Sequence, residues 1–293
     1  MTIWALLTNV NDSDFEMYGS PEKVKELLPG AEVVLLDRAG IEIEVGDTIS
    51  ITYNGKVMKA PDAFWPIFSN TDSFTIEKAL MAAGSKSLIN FEEYAVARSK
   101  SLTYQRLAAN GIKVPKTFLF FDKVDKESLT SRFSYPFIIK KDNGYGGQGV
   151  DLIENEEQLD RYLTELTYGT TYNAQEFISS SRGTDLRVVL AKNKYFFSMQ
   201  RKSGDEKEFK SNVHAGGTVD KVELNPETIA YCEKISRLFD LPLLGIDLLY
   251  GQEEGDYTVC EVNAFPGMTA KMLLPIVKEV LADFAAGLQK GED

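Results

Sequence analysis

Short apolar runs alternate with amphipathic stretches along the chain, and most of the runs have the length of a strand rather than a helix. Residues 3–7 (IWALL) form the first such run and predict a β-strand. Ser20-Pro21 looks like an N-cap followed by proline at the first helical position, with Val24, Leu27 and Leu28 on one face. Residues 31–36 make a second apolar run, β-branched enough for a parallel strand. Residues 48–60 alternate about Asn54-Gly55, a hairpin-turn signal. The first ~90 residues therefore predict a small α/β lobe.

A helix over residues 98–110 follows, closed by Gly111, and Val114-Pro115 turns the chain into extended structure. Residues 137–140 (FIIK) read as a buried strand that leads into DNGYGGQG at 142–149 and out through 150–153. Asn155 and Gln158 resemble a capping box at the start of a helix that turns Leu159, Tyr162, Leu163 and Leu166 inward. This is a second lobe, a glycine-rich hairpin between two strands. Strands are then predicted at 174–178, 186–191 and 195–201. A helix opens at Asn225-Pro226 with Ile229, Cys232, Ile235 and Phe239 along one side. Strands at 245–250 and 257–262 and a closing helix over 270–288 complete the pattern, which contains no internal repeat. Phe118, Phe120 and Phe121 read as core rather than as a base-stacking platform.

Length and composition narrow the class. The 293 residues can hold one large domain or two to three small lobes. No run approaches the ~18–20 apolar residues of a membrane span, and the N-terminus lacks the pattern of a signal peptide. Cys232 and Cys260 form no CxxC pair, so reduced thiols in a cytoplasmic protein are expected. A net charge of −12 argues against nucleic acid or an anionic membrane as the main partner.

Three groups of residues carry candidate chemistry. The glycines of GYGGQG, Gly146 and Gly147 among them, let a backbone approach a phosphate; the competing reading is a plain flexible turn. The loop lies between strands just after Lys140, unlike a dinucleotide fingerprint or P-loop, so a hairpin lid over phosphates fits better. Asp247 in LGIDLLY and Glu261 and Asn263 in VCEVNAFPG would lie at one end of a sheet if their strands pair. Such hard oxygen donors suit Mg²⁺, whereas solvated strand-end charges are the bland reading. Arg187, Arg201, Lys202 and Lys210 form a basic set that could clamp a transferred phosphoryl group or simply face solvent. His214, the one histidine, has no serine or cysteine partner in view and reads as structural.

Taken in order, YNGKVMKAPDAFWP, ARSKSLTYQRLAANGIKVP, YPFIIKKDNGYGGQGV, AQEFI, GTDLRVV, FKSNVHAGG, LLGIDLL and EVNAFPGM resemble the ATP-grasp superfamily, and within it the RimK-like amino-acid ligases. The resemblance implies an α/β fold with α+β lobes. An N-terminal pre-ATP-grasp domain would span 1–95, a small lobe with the glycine lid 96–173, and a C-terminal lobe with the metal site 174–293. It implies ATP and two Mg²⁺ (or Mn²⁺) as cofactors. Lys100 and Lys140 would contact phosphates, Lys210 and Asn212 would approach the phosphates and substrate, Glu176, Phe177 and Ile178 would hold adenine, and Asp185 would touch the nucleotide. Asp247, Glu261 and Asn263 would hold the metals, with Arg187 and Arg201 on the transferring group. The implied reaction activates a carboxylate as an acyl phosphate and joins it to an amine of an amino acid, peptide or protein terminus. The sequence departs from the family pattern at Ser99, Ala215 and Phe265, the last two in segments expected to border the acceptor pocket. A glutathione-synthetase-like peptide ligase and an ATP-binding regulator without turnover are the rival readings, and a homo-oligomer is compatible with the family.

Overall fold

The computed structural model describes residues 1–7, 31–66, 74–143, 149–205, 208–211, 216–267 and 270–290. The helix expected after Ser20-Pro21 and the residues Gly146, Gly147, Asn212, His214 and Ala215 lie outside them. The chain divides into two compact units, Met1–Phe91 with Gly267–Asp293, and Glu92–Pro266.

In the first unit, β1 (Thr2–Leu7) pairs in parallel with β2 (Glu32–Asp37), as its apolar run predicts. β3 (Ile41–Val45), β4 (Ile49–Tyr53) and β5 (Lys56–Met58) form a separate antiparallel sheet. Asn54 and Gly55 turn β4 into β5 with φ of 49° and 75°, the left-handed pair that a two-residue hairpin requires. β6 (Ala63–Pro66) joins the other edge of β1 in parallel. After α1 (Thr75–Ala82), β7 (Lys86–Ser87) adds to β6 to give the order β2-β1-β6-β7. Trp4, Leu36, Ile51, Phe64, Leu80 and Phe91 form the core between these elements.

The second unit begins with α2 (Phe91–Arg98), which the apolar pattern did not predict, and α3 (Lys100–Ala109), the helix expected over 98–110. The break between them is at Ser99, which takes an extended backbone (φ −90°, ψ 115°) and accepts the Leu102 N–H on its hydroxyl. Serine satisfies an orphan helix donor better as a cap than as an interior residue. Gly111, at φ 69°, ends α3 as expected. β8 (Thr117–Phe121), α4 (Lys126–Thr130), β9 (Phe137–Lys141), β10 (Val150–Ile153), α5 (Glu156–Thr164) and β11 (Thr171–Glu176) then build an antiparallel sheet of order β10-β9-β11-β8. Asn155 caps α5 through Gln158 N–H, and Gln158 Oε1 reaches back to Glu154 N–H, one residue beyond a strict capping box. Leu159 is buried, with Tyr162, Leu163 and Leu166 packed against the same core as Phe120, Phe137 and Ile139. Phe121 corrects the sequence reading: it is 66% exposed, because the pleat turns it away from the face on which Phe120 is buried.

The remaining strands form a five-stranded antiparallel sheet. β12 (Thr184–Ala191), β13 (Lys194–Lys202), β14 (Thr218–Lys221), β15 (Leu243–Tyr250) and β16 (Tyr257–Asn263) adopt the order β14-β13-β12-β15-β16. β14, exposed along its length, carries no apolar run and was not foreseen. The helix α6 (Pro226–Ser236), capped by Asn225, covers the sheet with Cys232 and Ile235. The closing helix α7 (Ala270–Lys290) belongs to the first unit. No helix among the described residues is long and apolar enough to cross a membrane.

Candidate active site

The candidate residues of the five-stranded sheet are gathered by its register. Asp185 of β12 lies opposite Arg201 of β13, and Arg187 opposite Asp247 of β15. Asp247 in turn faces Glu261 of β16, and Gly245 faces Asn263. Residues directly opposite one another share a face, so Asp185, Arg187, Arg201, Asp247, Glu261 and Asn263 converge on one side of one sheet. β15 and β16 pair antiparallel, the condition on which the sequence places Asp247, Glu261 and Asn263 at one end of a sheet.

Asp247 is 3% exposed and surrounded by donors. Arg187 clamps it with Nε to Oδ1 and Nη2 to Oδ2, both at 2.7 Å. Arg201 Nη2 donates to Oδ2 at 2.9 Å, and Asn263 Nδ2 at 3.3 Å. Burial alone would push the carboxyl up, but the Arg187 and Arg201 charges outweigh it and hold Asp247 at about 2. Arg201 also grips Asp185, which accepts a further bond from Ser211 Oγ at 2.5 Å. Burial and the nearby Asp247 charge push Asp185 above the usual carboxylate range.

Gly245 shows why Asn263 and the Pro-Gly turn sit where they do. A Cβ there would lie 2.5 Å from Pro266 Cβ and 3.6 Å from Asn263 Cβ, so the bare glycine admits the turn against the strand.

The two sequence-predicted lysines reach the same region from α3 and β9. Lys100 Nζ lies 3.2 Å from Glu261 Oε1. Lys140, 5% exposed, donates to the Tyr104 hydroxyl at 2.6 Å. Asp142, two residues beyond Lys140, accepts from Ser99 Oγ at 2.7 Å, Ser101 N–H at 2.6 Å and Asn173 Nδ2 at 3.3 Å. Burial opposes its charge, yet the Ser101 and Ser99 bonds prevail and keep its carboxyl below the usual range. Asp142 thus ties the root of the glycine loop to the start of α3.

The other expected residues are placed along the same unit. Glu176, at the end of β11, accepts from Lys116 N–H at 2.7 Å, and Phe177 meets the Phe209 ring edge-on. Ile178 precedes a 3-10 turn over Ser179–Ser181, and Lys210 lies beside Phe209. Tyr104, Asp142, Ser101 and Asn173 were missed in the sequence. Their signals were the i, i+4 spacing of Lys100 and Tyr104 and the two-residue spacing of Lys140 and Asp142.

Among the described residues no three of His, Cys, Asp and Glu stand close enough to hold an ion by themselves. Mg²⁺ does not require that, since it keeps waters and takes one or two carboxylates alongside substrate phosphates. Glu261, Asn263 and Asp247 offer oxygens of that kind, and the buried Lys100 and Lys140 match phosphate charge, so the residues fit a magnesium nucleotide. Three of the four donor contacts of Asp247 fall on Oδ2 and only the Arg187 Nε bond falls on Oδ1, so Oδ1 would keep a lone pair for a cation.

Comparison with known proteins extends this picture. Residues 97–281 match the family model of the RimK-like ATP-grasp domain. A probable alpha-L-glutamate ligase of Vibrio atlanticus (strain LGP32) is 30% identical over 247 residues, which cover 82% of this chain and 80% of that protein. N-acetylaspartylglutamate synthase A of Mus musculus is 26% identical over 270 residues, 88% of this chain and 70% of its own. Among solved structures, the D-alanine--D-alanine ligase from Bacillus anthracis complexed with ATP superposes with a TM-score of 0.71 over 100% of both chains. At 16% identity that likeness speaks for the fold.

Proposed function

The chain belongs to the RimK-like ATP-grasp family and is an ATP-dependent carboxylate–amine ligase; from that premise we propose that the residues gathered on the five-stranded sheet are its active site. The observation that carries this reading is the network of the buried Asp185, Asp247 and Arg187 with the half-buried Arg201, beside Glu261 and Asn263. A purely structural sheet gains little from so many charges taken from water, because their desolvation offsets most of their attraction.

Lys100 and Lys140 supply positive charge to the nucleotide phosphates, and the segment Glu176, Phe177 and Ile178 holds adenine. Asp185 and Lys210 complete the nucleotide contacts, together with Asn212 and the glycines Gly146 and Gly147. Asp247, Glu261 and Asn263 would hold Mg²⁺, which when bound neutralises phosphate charge during transfer. The carboxylate of the acid attacks the γ-phosphoryl group, and ADP leaves. Arg187 and Arg201 offset the charge that builds there and, through Asp247, fix a ligand oxygen. The amine then attacks the acyl phosphate, giving the amide, phosphate and a released proton. Positioning and charge account for this without a nucleophilic side chain.

The names of the two relatives share glutamate, so an acidic amino acid is the first amine to try. Two free cysteines agree with a cytoplasmic setting. Incubation with Mg-ATP, glutamate and a panel of small acids and peptides, read by mass spectrometry, is expected to give an ATP-dependent product equal to acid plus amine less water. ATP binding with no product from any pair would favour the regulator instead.

A further inference from the structure

Lys140 and Glu261 belong to different sheets, and one side chain of α3 connects their strands. β16 carries an irregularity beside the site: Asp247 pairs with Glu261 and Leu248 with Val259, which leaves Cys260 as an extra residue without a partner on β15. Such bulges free a backbone group and re-aim the strand next to functional residues. The Cys260 carbonyl accepts the Tyr104 hydroxyl at 2.5 Å. That bond uses the phenol's single proton and leaves its oxygen as an acceptor, which Lys140 Nζ meets at 2.6 Å. The same ammonium lies 5.0 Å from the Tyr104 ring centroid. One turn earlier on α3, Lys100 meets Glu261, the neighbour of Cys260. The helix face Lys100–Tyr104 therefore docks on the bulge, and the Lys140 amine is fixed through it.

The nature of that partner matters. Burial drives the Tyr104 phenol well above its ordinary value, so it stays neutral across working pH. A neutral phenol orients an ammonium without cancelling its charge, and one bond leaves two of its three N–H groups for an anion. A carboxylate in the same place would compete with the phosphate.

We propose that Tyr104 is a positioning residue that holds the Lys140 ammonium toward nucleotide phosphate by way of the Cys260 carbonyl. This rests on the assignment of Lys140 as a phosphate contact.

A double-mutant cycle on the full chain separates the two ideas, with Mg-ATP and AMP affinities measured by titration calorimetry and melting followed in parallel. Lys140→Met is expected to weaken ATP binding at least about tenfold, as loss of a charge-assisted bond implies. Tyr104→Phe keeps the ring and removes the oxygen, and is expected to weaken ATP about five- to tenfold while AMP changes less than about twofold. Combined, the two should cost no more than Lys140→Met alone, within about twofold. Unchanged ATP binding in Lys140→Met would overturn the phosphate assignment itself. An effect of Tyr104→Phe that persists in the Lys140→Met background, or falls equally on AMP, would overturn the positioning role and leave Lys140 in place. If Tyr104→Phe does not fold, Tyr104→Met removes the same oxygen with a flexible filler and completes the cycle.

Discussion

Asp247 carries its charge at 3% exposure because two guanidinium groups and an amide enclose it. Such a pair contributes little over an apolar replacement of both partners, but removing one member strands a buried charge. Arg187→Met is therefore expected to cost about 3–5 kcal/mol of stability, read from urea unfolding. Arg187→Lys should recover little of it, since an ammonium cannot reproduce the two-pronged clamp. A loss below about 1 kcal/mol would show that Asp247 finds other donors. At this scale the sequence was legible where chemistry was concentrated: Asp247, Glu261 and Asn263 announced themselves as acids and an amide among hydrophobes. It could not show that Asp247 spends its oxygens on Arg187 and Arg201, because that depends on the cross-strand register of β12, β13 and β15. Tyr104 gains its partner from the bulge at Cys260, which depends on the register of β15 and β16.

Between elements, Asp142 links the end of β9 to the first turn of α3, satisfying Ser101 N–H and the Ser99 hydroxyl. Asp142→Ala is expected to cost about 1–3 kcal/mol by leaving those donors without it. Its carboxyl is lowered in the folded chain, so its stabilisation is complete above the unfolded value of about 3.9 and fades as pH falls through the folded one. The stability gap between parent and Asp142→Ala should accordingly be constant from pH 7 down to about 5 and narrow below about 4. A gap that widens in acid would contradict the assignment. Gly245→Ala tests the contact between β15 and the Pro266 turn, since its Cβ would meet Pro266 at 2.5 Å. It should lose about 1–3 kcal/mol, read from urea unfolding, by forcing Pro266 away from the strand. Strand runs and the Asn54-Gly55 hairpin were readable because local periodicity and turn chemistry decide them. The start of α3 one residue after Ser99 was not, because residues 98–110 are helix-compatible throughout; in the fold Ser99 caps Leu102 N–H and donates its hydroxyl to Asp142.

At the level of the whole molecule, every described residue of the candidate site lies within Glu92–Pro266, the second compact unit. A fragment with those bounds is expected to melt cooperatively and bind Mg-ATP; a fragment without a cooperative transition would tie its fold to the rest of the chain. The family was legible because the motifs recur in sequence order, whereas the inclusion of α7 with the first unit depends on contacts between chain ends that periodicity does not encode. The central claim is that this sheet transfers a phosphoryl group from ATP to a carboxylate. Glu261 tests it most directly, because its side chain is a third exposed and its replacement leaves the core undisturbed. Phosphate release from Mg-ATP in the presence of acid and amine should fall at least about a hundredfold in Glu261→Gln, a change of about 2.7 kcal/mol in barrier, with the melting transition unchanged. Turnover within about threefold of the parent would contradict the account, because the proposed metal-binding carboxylate would then have no part in the chemistry.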